Sequence, residues 1–501
     1  MNRNAFEKGQ ALILIVFAIV GLVGLTALAV DGGVSYADRQ KAQSAADTAA
    51  LRAALQLAKA QTDWSSAATS AAASNGFNND GTTNTVTVRN PPGAGCNGTT
   101  ATYAVPSQYV QVLITSTVRA YFAPVVGIRQ TTNCVEAVAK AVPGTGGSFG
   151  GGNGLMVLKS SVCGCQPLSF TGSGNVTVQG GVVDNGNFSS TGSGLFTVAG
   201  GVRVRATVTH TGSGNITIGG GFAADSLTKT GSQDWSVTNG ATLHSNFSQT
   251  GSGDFVVNSG TFTYGGSYSN TGSGTVSPAG VKTNPAPAQP PIFTDPLASV
   301  LNPPTAPPSS PCNGDQSFTG STSHTLAAGC YGAVNQTGSG NLTLNPGRFT
   351  SINNTGSGVM TLNPGLYYIT GSNGIRNTGS GDVIGNGVLI YMADGGFNMT
   401  GSGDLTLTPM TTGDYKGLTI YMDRSNDSAF SMTGSGNSTF SGTVYAPASD
   451  LTFTGSGTPF VLDSQIIGYT ATLTGSGGLS LAFNASHNFQ VPSDAMVQLV
   501  K

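Results

Sequence analysis

The sequence predicts a mainly β protein in which an N-terminal transmembrane or exported α-helix precedes a parallel β-helix, or β-solenoid, built in two blocks. Three observations carry this prediction. An uncharged run of twenty residues lies near the N-terminus, a four-residue motif recurs at intervals near twenty residues, and hydrophobic residues alternate with polar ones after most copies of the motif. Only 8% of the 501 residues are charged and the formal net charge is −2, so the composition provides no electrostatic surface for nucleic acid.

The composition also favours an ordered repeat over a disordered one. Glycine contributes 74 residues, and 38% of all residues are hydrophobic. Disorder usually combines high charge with few hydrophobic residues, whereas here the hydrophobic residues alternate regularly. We therefore expect an ordered chain, with a disordered low-complexity repeat as the alternative.

The uncharged run spans residues 11–30, and twenty helical residues rise about 30 Å, which is the thickness of a hydrocarbon core. Arg3 and Lys8 precede it, which favours a cytoplasmic N-terminus and an extracytoplasmic bulk. The alternative is a cleavable signal peptide, for which residues 27–29 supply an A-x-A site. A retained single-pass anchor is favoured because the run exceeds a usual signal-peptide core and the helical pattern continues to residue 60.

The residues after the run are good helix formers, and small residues dominate one face of the predicted helix. Such a face lets another helix, or the protein's own exported domain, approach closely. The alanines of this face are Ala42, Ala45, Ala46, Ala49, Ala50 and Ala53.

The first sixty residues also contain a series of short motifs: Gly9-Gln10-Ala11, Val30-Asp31-Gly32-Gly33, Tyr36, Arg39, Gln43 and Ala45-Ala46-Asp47-Thr48-Ala49-Ala50-Leu51. With the hydrophobic run they resemble the N-terminal segment (residues 1–61 here) of Tad (tight-adherence) Flp pilus-assembly proteins of the TadE/TadG-like kind. The resemblance weakens over residues 85–142. It implies an inner-membrane anchor with the remainder outside, and other Tad pilus-assembly proteins as partners.

Two features of that family are missing from this sequence. TadE-like pseudopilins usually carry a Glu shortly after the Gly at which a prepilin peptidase cleaves, but Gln10 follows Gly9 and the run contains no Glu. TadG-like members often carry a von Willebrand A-type domain with a D-x-S-x-S metal motif. The nearest string here, Asp423-Arg-Ser425-Asn-Asp427, departs from that motif, so we assign no metal-dependent adhesion site.

Residues 62–143 predict a small α+β extracytoplasmic segment, with strands near residues 85–88 and 109–118, and a Gly-rich linker follows at 144–154. Six cysteines in an exported chain predict disulfides, with unpaired thiols as the alternative. We predict the pairs Cys312–Cys330 and Cys96–Cys134. Cys163 and Cys165 are too closely spaced for a usual zinc or redox motif.

The repeated motif is Thr-Gly-Ser-Gly, and a short strand with alternating hydrophobic residues follows most copies. Stacked coils about 4.8 Å apart would bury these hydrophobic residues, and thirteen coils would span about 60 Å. We expect the glycines to serve a turn that needs positive φ. The inward-pointing residues are predicted to be Val176, Val178, Ile216, Ile218, Leu342, Leu344, Leu405 and Leu407, and the outward-pointing ones Thr177, Thr217, Thr343 and Thr406.

Proline divides the repeat. Residues 278–311 hold eleven of the 23 prolines, and proline cannot donate to a strand ladder. We therefore predict solenoid blocks at 155–277 and 312–485, a stiff, partly extended linker between them, and a C-terminal tail at 486–501.

The sequence contains little that indicates catalysis. Asp254, Asp382 and Asp404 follow the motif directly, and only the last two lie in consecutive coils, so a turn-capping role is favoured over a pair of glycosidase carboxylates. Calcium binding at these turns is a weaker alternative. The histidines, which are His210, His244, His324 and His487, lack metal-ligand spacing. We assign no catalytic, cofactor-binding or metal-binding residue.

The functional hypothesis is therefore a structural or adhesive protein of the Tad pilus or the cell envelope, held in the cell membrane by one helix. Its uncharged, hydroxyl-rich solenoid would face the periplasm or the cell surface, with surface glycans as possible ligands. The alternative hypothesis is a surface-displayed β-helical protein that binds or cleaves carbohydrate.

Overall fold

The computed structural model describes residues 7–58, 63–103, 105–142, 149–160, 166–434, 437–457, 459–490 and 496–501. Cys163 and Cys165 lie outside these ranges. The chain divides into two compact units. We call them the helix–sheet unit, Met1–Gly147 with Pro492–Lys501, and the solenoid unit, Ser148–Val491.

The helix–sheet unit begins with a helix of 52 residues, α1 (Glu7–Ala58), which is about 78 Å long. Its first half is apolar and almost entirely exposed, and among the described residues α1 is long and apolar enough to cross a membrane. Its second half buries alanines that recur every three or four residues against helix α2 (Trp64–Ser74) and a sheet, as an amphipathic helix requires. These alanines are Ala42, Ala45, Ala46, Ala49, Ala50, Ala53 and Ala54.

The sheet of this unit has four antiparallel strands in the order Asn84–Arg89, Tyr109–Arg119, Gln130–Val142 and Met496–Leu499. Short 3₁₀ turns lie at Pro106–Gln108 and Ala123–Val126. The last strand lies in the segment that the sequence predicts to be a C-terminal tail. The sequence does not predict this strand, because four residues are too few to show a recognisable alternation. It pairs with Ala139–Val142.

Asp38 fixes α1 against this sheet. Its carboxylate accepts hydrogen bonds from Ser116 Oγ at 2.5 Å and from Asn133 Nδ2 at 2.8 Å, and these two residues lie on neighbouring strands. Gln43 donates from Nε2 to the carbonyl of Glu136. Polar contacts and the alanine face therefore hold the same stretch of helix.

The solenoid unit forms one parallel sheet of 36 strands in the described residues, and a 3₁₀ turn at Phe149–Gly152 precedes it. The strands of the N-terminal block are Asn153–Val157, Leu168–Phe170, Val176–Val178, Gly181–Asp184, Phe188–Ser190, Phe196–Val198, Val202–Val204, Thr207–His210, Ile216–Ile218, Phe222–Ala224, Ser226–Lys229, Trp235–Leu243, Phe247–Gln249, Phe255–Tyr264, Tyr268–Asn270, Val276–Ser277 and Val281–Lys282. The strands of the C-terminal block are Gln316–Phe318, His324–Leu326, Gly329–Gln336, Leu342–Leu344, Gly347–Asn354, Met360–Leu362, Gly365–Ile369, Ile375–Asn377, Val383–Gly385, Val388–Met392, Phe397–Met399, Leu405–Leu407, Leu418–Met422, Phe430–Gly434, Thr439–Ser441, Thr443–Gly455, Phe460–Asp463, Ile466–Gly475 and Leu479–Leu481.

Each coil has three faces. We call them the amide face, whose strand precedes the Thr-Gly-Ser-Gly motif, the threonine face, whose strand follows it, and the third face, which closes the coil. The predicted alternation on the threonine face is confirmed: Ile216 and Ile218 are buried, whereas Thr217 between them is exposed. The inward-pointing residues of all coils merge into one continuous core.

The two blocks stack end to end in the reverse of their chain order. Leu479–Leu481, the last strand of the C-terminal block, pairs in parallel with Val176–Val178 near the start of the N-terminal block. The threonine hydroxyls of the motifs at Thr474 and Thr171 lie 3.0 Å apart across this joint. The blocks are therefore one stack, and not two bodies separated by a linker.

The proline-rich segment lies along this stack, and we call residues 283–311 the strap. It must return from the free end of the N-terminal block to the free end of the C-terminal block, which lie about 60 Å apart at a coil rise of about 4.8 Å. Its 29 extended residues reach roughly 95 Å at most, which is sufficient. An extended, proline-rich chain suits this path because it needs no strand pairing.

Close stacking of neighbouring coils, and not positive φ, explains most glycines of the motif. The prediction that these glycines serve a turn with positive φ is therefore wrong for most of them. Gly212 and Gly214 are not among the residues with positive φ. A Cβ on Gly212 would lie 2.1 Å from the carbonyl oxygen of Gly192 in the next coil, and one on Gly214 would lie 1.8 Å from that of Gly194. The two glycines are buried between coils, whereas Thr211 and Ser213 of the same motif are exposed.

Candidate interaction surfaces

The threonine face presents a file of outward-pointing side chains, most of which carry a hydroxyl group. Parallel pairing holds these residues in register across both blocks. Along the stack the file reads Thr325, Thr343, Thr361, Ile384, Thr406, Thr439, Val461, Ser480, Thr177, Thr197, Thr217, Ser236, Val256 and Ser277.

The amide face carries a second file, in which three asparagines lie in the C-terminal block and Ser or Thr fills the other positions except Arg376. Its residues are Ser317, Asn335, Asn353, Arg376, Asn398, Ser431, Thr452, Thr472, Ser169, Ser189, Thr209, Thr228, Ser248 and Ser269. Two faces of the solenoid are thus almost uncharged and rich in short hydrogen-bonding groups.

The acidic residues after the motif are used by the neighbouring coil. Asp254 accepts hydrogen bonds from the backbone N–H and the hydroxyl of Thr275, at 2.7 and 2.8 Å, and these bonds lower its pKa. Asp382 accepts the backbone N–H of Asp404 at 2.8 Å. Asn175 makes the same contact with Leu195, so this position caps the next coil whether it holds Asp or Asn.

The third face is hydrophobic on its outer side in the C-terminal block. Every residue of Val388–Met392 and Leu418–Met422 is buried. Tyr391, Tyr421 and Tyr445 occupy the same register position in three successive coils and lie on the outer side of the strands. The ring centroids of neighbouring tyrosines in this aromatic file are 4.9 and 5.2 Å apart. Continuous hydrophobic runs such as VLIYM indicate a strand buried on both sides, and the sequence prediction did not use that signal.

The strap covers this aromatic file. Leu297 and Leu301 are buried in the same cluster as the tyrosines. Arg424 donates from Nη2 to the carbonyls of both leucines, at 2.6 and 2.9 Å, and Tyr445 donates its hydroxyl to Asp295 at 2.6 Å. Burial and the adjacent carboxylate raise the pKa of Tyr445 well above its ordinary value.

Further along, the strap crosses the N-terminal block. Asn185 exchanges two 2.8 Å hydrogen bonds with the backbone N–H and carbonyl of Phe293. Arg205 donates to the carbonyl of Pro290, and His244 Nδ1 lies 2.6 Å from that of Pro287. A groove of about 930 Å³ lies between these contacts and a row of glycine turns, which contain Gly151, Gly152, Gly180, Gly181, Gly200, Gly201, Gly221 and Gly240.

Three ionisable side chains point into the core of the N-terminal block. Burial raises the pKa of Asp184 to about 7, against a single hydrogen bond from the backbone N–H of Gly186. Burial lowers the pKa of His210 to about 4, and it lowers the pKa of Lys229, which lies in the next coil. Lys229 donates to the carbonyl of Gly253.

The four cysteines predicted to pair lie together in pairs. The sulfur atoms of Cys96 and Cys134 are 1.97 Å apart and join a loop to the strand Gln130–Val142. Those of Cys312 and Cys330 are 2.00 Å apart and lie at the free end of the C-terminal block.

The remaining histidines and the Asp423 string have separate local partners. His324 lies beside the ring of Phe318, and His487 Nδ1 contacts the carboxylate of Asp463. Asp423 accepts hydrogen bonds from Ser425 and from Tyr391. Over the described ranges, no three His, Cys, Asp or Glu side chains come together as metal ligands.

The apolar half of α1 ends at Asp31, which binds a loop of the same unit. Its carboxylate accepts the backbone N–H groups of Tyr121, Phe122 and Ala123 at 2.8, 2.9 and 2.6 Å. Desolvation opposes ionisation, but these three bonds outweigh it and lower the pKa of Asp31. Tyr121 is strongly exposed beside the end of the apolar segment.

Comparison with known families gives three matches. Residues 9–57 match the family described as Flp pilus-assembly TadE/G-like, and residues 35–139 match the one described as Tad-like Flp pilus-assembly. Residues 350–481 match a domain of unknown function, DUF7305. This matched range includes the aromatic file and ends with the last strand of the C-terminal block. No curated protein and no solved structure matches the chain significantly.

Proposed function

We propose that the protein is a membrane-anchored, extracytoplasmic structural or adhesive component. It would serve the Tad (Flp) pilus or the cell envelope. The premise is that the N-terminal region of this chain is a Tad-type pilus-assembly region. The observation that carries the proposal is that one chain joins a Tad-type helix able to cross a membrane to a solenoid with two almost uncharged, hydrogen-bonding faces.

Charge and cysteine chemistry support the proposal that the solenoid lies outside the cytoplasm. Arg3 and Lys8 flank the apolar segment on its N-terminal side, which favours a cytoplasmic N-terminus. Disulfides persist in oxidising compartments, so the pairs Cys96–Cys134 and Cys312–Cys330 support an extracytoplasmic solenoid.

A passive surface fits the solenoid better than an active site does. The motif acids cap neighbouring coils, and the same positions hold Asn in other coils, so none of these motif carboxylates is distinguished from the others by its environment. Binding through a file of equivalent short side chains spreads the interaction energy over many coils. We therefore assign a non-enzymatic role, in which removing coils weakens attachment in proportion to the number removed.

Fractionation and protease protection test the proposal. We expect the intact chain in the membrane fraction, with the solenoid degraded by protease added to spheroplasts and protected in intact inside-out vesicles. N-terminal sequencing provides the control for processing. A mature chain that begins at Val30 and is released in soluble form would contradict the anchor, and solenoid protection in spheroplasts would contradict the extracytoplasmic location.

A second experiment tests the passive surface. Deleting two coils, residues 196–234, removes two motif intervals and keeps the register, because Trp235 then takes the place of Phe196 and these two residues occupy matching positions on the threonine face. We expect a partial loss of surface attachment with the remaining fold intact. Complete loss of function from one outward Asp→Asn change in a folded protein would instead favour the enzyme hypothesis.

A further inference from the structure

The groove beside the strap has the features of a ligand-binding site. We propose that it binds a carboxylate-bearing polysaccharide, such as a uronic-acid chain. The inference rests on the proposed function, since it names a ligand class for the same exposed solenoid, and it concerns a single site instead of the two repetitive faces.

The shape of the groove follows from a change of residue size along the third face. In the stack, the large outward residues of the C-terminal block give way to Arg203, Ala223 and Thr242. The small side chains of Ala223 and Thr242 leave a trough, with the strap at Phe293 as one wall and the glycine turns as the other. Its lining extends over six coils, from Asn153 to Thr261, which corresponds to a length of about 24 Å. A trough of this length accommodates an extended oligomer better than a single small molecule.

The charge of the groove selects an anion. Among the described residues that line the groove, only Arg203 is charged, and its guanidinium lies over the ring of Phe293 at 5.6 Å from the centroid. Partial burial lowers the pKa of Arg203, and no carboxylate is paired with it among the described residues. A guanidinium fork that is partly desolvated and has no carboxylate partner is well suited to donate two parallel hydrogen bonds to a carboxylate.

The remaining lining favours a sugar over a peptide. The strands cross the groove and are already paired on both sides, as Val202 is with Val182 and with Phe222. A peptide therefore finds no free strand edge to extend, which removes the commonest way of binding one beside a sheet. Asn239, Thr242 and the turn backbone offer neutral hydrogen-bonding groups that match sugar hydroxyls.

Phe293 adds an apolar wall on which a sugar ring can lie. The side chain of Asn185 holds the backbone of Phe293 through two hydrogen bonds, so the strap contributes a preformed wall to the groove. Arg203 and Phe293 thus place a carboxylate-binding group beside a ring-stacking surface, which is the pairing that an acidic sugar needs.

Titration calorimetry on the full chain in detergent tests the inference, with oligogalacturonate as the probe and maltohexaose as its uncharged counterpart. We expect heat of binding with oligogalacturonate only. Arg203→Gln should weaken binding about tenfold or more, because a charge-assisted hydrogen bond is lost. Arg203→Lys should weaken it less, since the charge remains without the fork.

Arg376→Gln is the matched control. Arg376 is exposed at the middle of Ile375–Asn377 on the amide face, outside the groove, and its replacement should leave binding unchanged. If Arg203→Gln lowers the melting temperature, Phe293→Leu supplies a second variant, for which we expect weaker binding with the strap still held by Asn185.

Three outcomes would overturn the proposal. These are absence of oligogalacturonate binding by the wild type, equal losses from the Arg203 and Arg376 variants, and tighter binding of poly-L-glutamate than of oligogalacturonate, which would assign the groove to an acidic peptide. Failure here leaves the proposed function standing if protease still reaches the solenoid from outside. Binding by a chain whose solenoid is cytoplasmic would instead support the groove and contradict the proposed function.

Discussion

The two blocks of the solenoid share one repeat but differ in how its three faces are used. In the C-terminal block the third face carries large aromatic residues covered by the strap, and a disulfide closes the free end. In the N-terminal block that face opens into a groove, and Asp184, His210 and Lys229 point into the core. The repeat itself therefore determines only how the coils stack. The residues between the motifs determine whether the third face of a coil is covered by the strap or borders the groove, and whether polar groups lie in the core.

The largest expected effect tests whether the blocks nevertheless form one stack. Ile216→Asp places an unpaired charge in the continuous core and should lower the free energy of unfolding by about 5 kcal/mol. Leu405→Asp in the C-terminal block should cost a similar amount, because both side chains are buried in the same way. Urea denaturation followed by circular dichroism would measure both.

The control for this experiment is Thr217→Asp, which alters the exposed neighbour of Ile216 and should change stability little. Equal destabilisation by the Ile216 and Thr217 variants would contradict the inside–outside assignment. Two separate unfolding transitions, each shifted by one core variant alone, would indicate that the joint between Leu479–Leu481 and Val176–Val178 does not hold the blocks together.

The second effect concerns the ionisable groups of the N-terminal core. The pKa of Asp184 is raised from 3.8 to about 7, so the folded chain binds more protons than the unfolded chain between these values and stability falls as pH rises through that window. The pKa of His210 is lowered from 6.5 to about 4, so the unfolded chain binds more protons there and stability rises with pH. Each contribution amounts to roughly 3 to 4 kcal/mol, and between pH 4 and 6.5 they oppose each other.

Single variants should separate the two contributions. Asp184→Asn should reveal a stability that increases from pH 4 to 6.5, whereas His210→Gln should reveal one that decreases from pH 4 to 7. Denaturation midpoints at half-unit pH intervals would measure both slopes, with Thr217→Ala as a variant that titrates nothing. Identical pH profiles for the wild type and both variants would show that neither side chain is buried in the state assigned to it.

The sequence predicts the helix, the period of the repeat and the inside–outside alternation because each depends on spacing alone. It does not predict the order of the blocks, since the motifs at Thr171 and Thr474 are identical and neither spacing nor hydrophobicity says which coil ends meet. The strap was interpreted as a linker because proline density indicates an extended chain but not the surface on which it lies. The groove depends on the path of the strap across the third face of the N-terminal block. Only the contact between Phe293 and Asn185 reveals this path.

The smallest of the three effects concerns the free end of the C-terminal block. The first coil there has a neighbour on one side only, and its strands Gln316–Phe318 and His324–Leu326 are largely exposed. Cys312 and Cys330 lie 18 residues apart and enclose both strands, so their bond restrains the coil that the rest of the stack holds least. In the chain-entropy model a loop of this size contributes about 3 kcal/mol.

Because stacked coils interact mainly with their nearest neighbours, loss of this bond should open the end locally before it affects the stack. In the Cys312→Ser, Cys330→Ser double variant we expect hydrogen-exchange protection to be lost at residues 316–326 and retained from residue 342 onward. The Cys96→Ser, Cys134→Ser variant is the matched control, since it removes a disulfide of the helix–sheet unit and should leave exchange at residues 316–326 unchanged. Mass spectrometry of an unreduced digest checks the premise, because free thiols at both Cys312 and Cys330 would rule out the bond. A loss of protection that spreads through the entire solenoid would show instead that the end coil nucleates the stack, and that the covered block depends on its disulfide as much as on its strap.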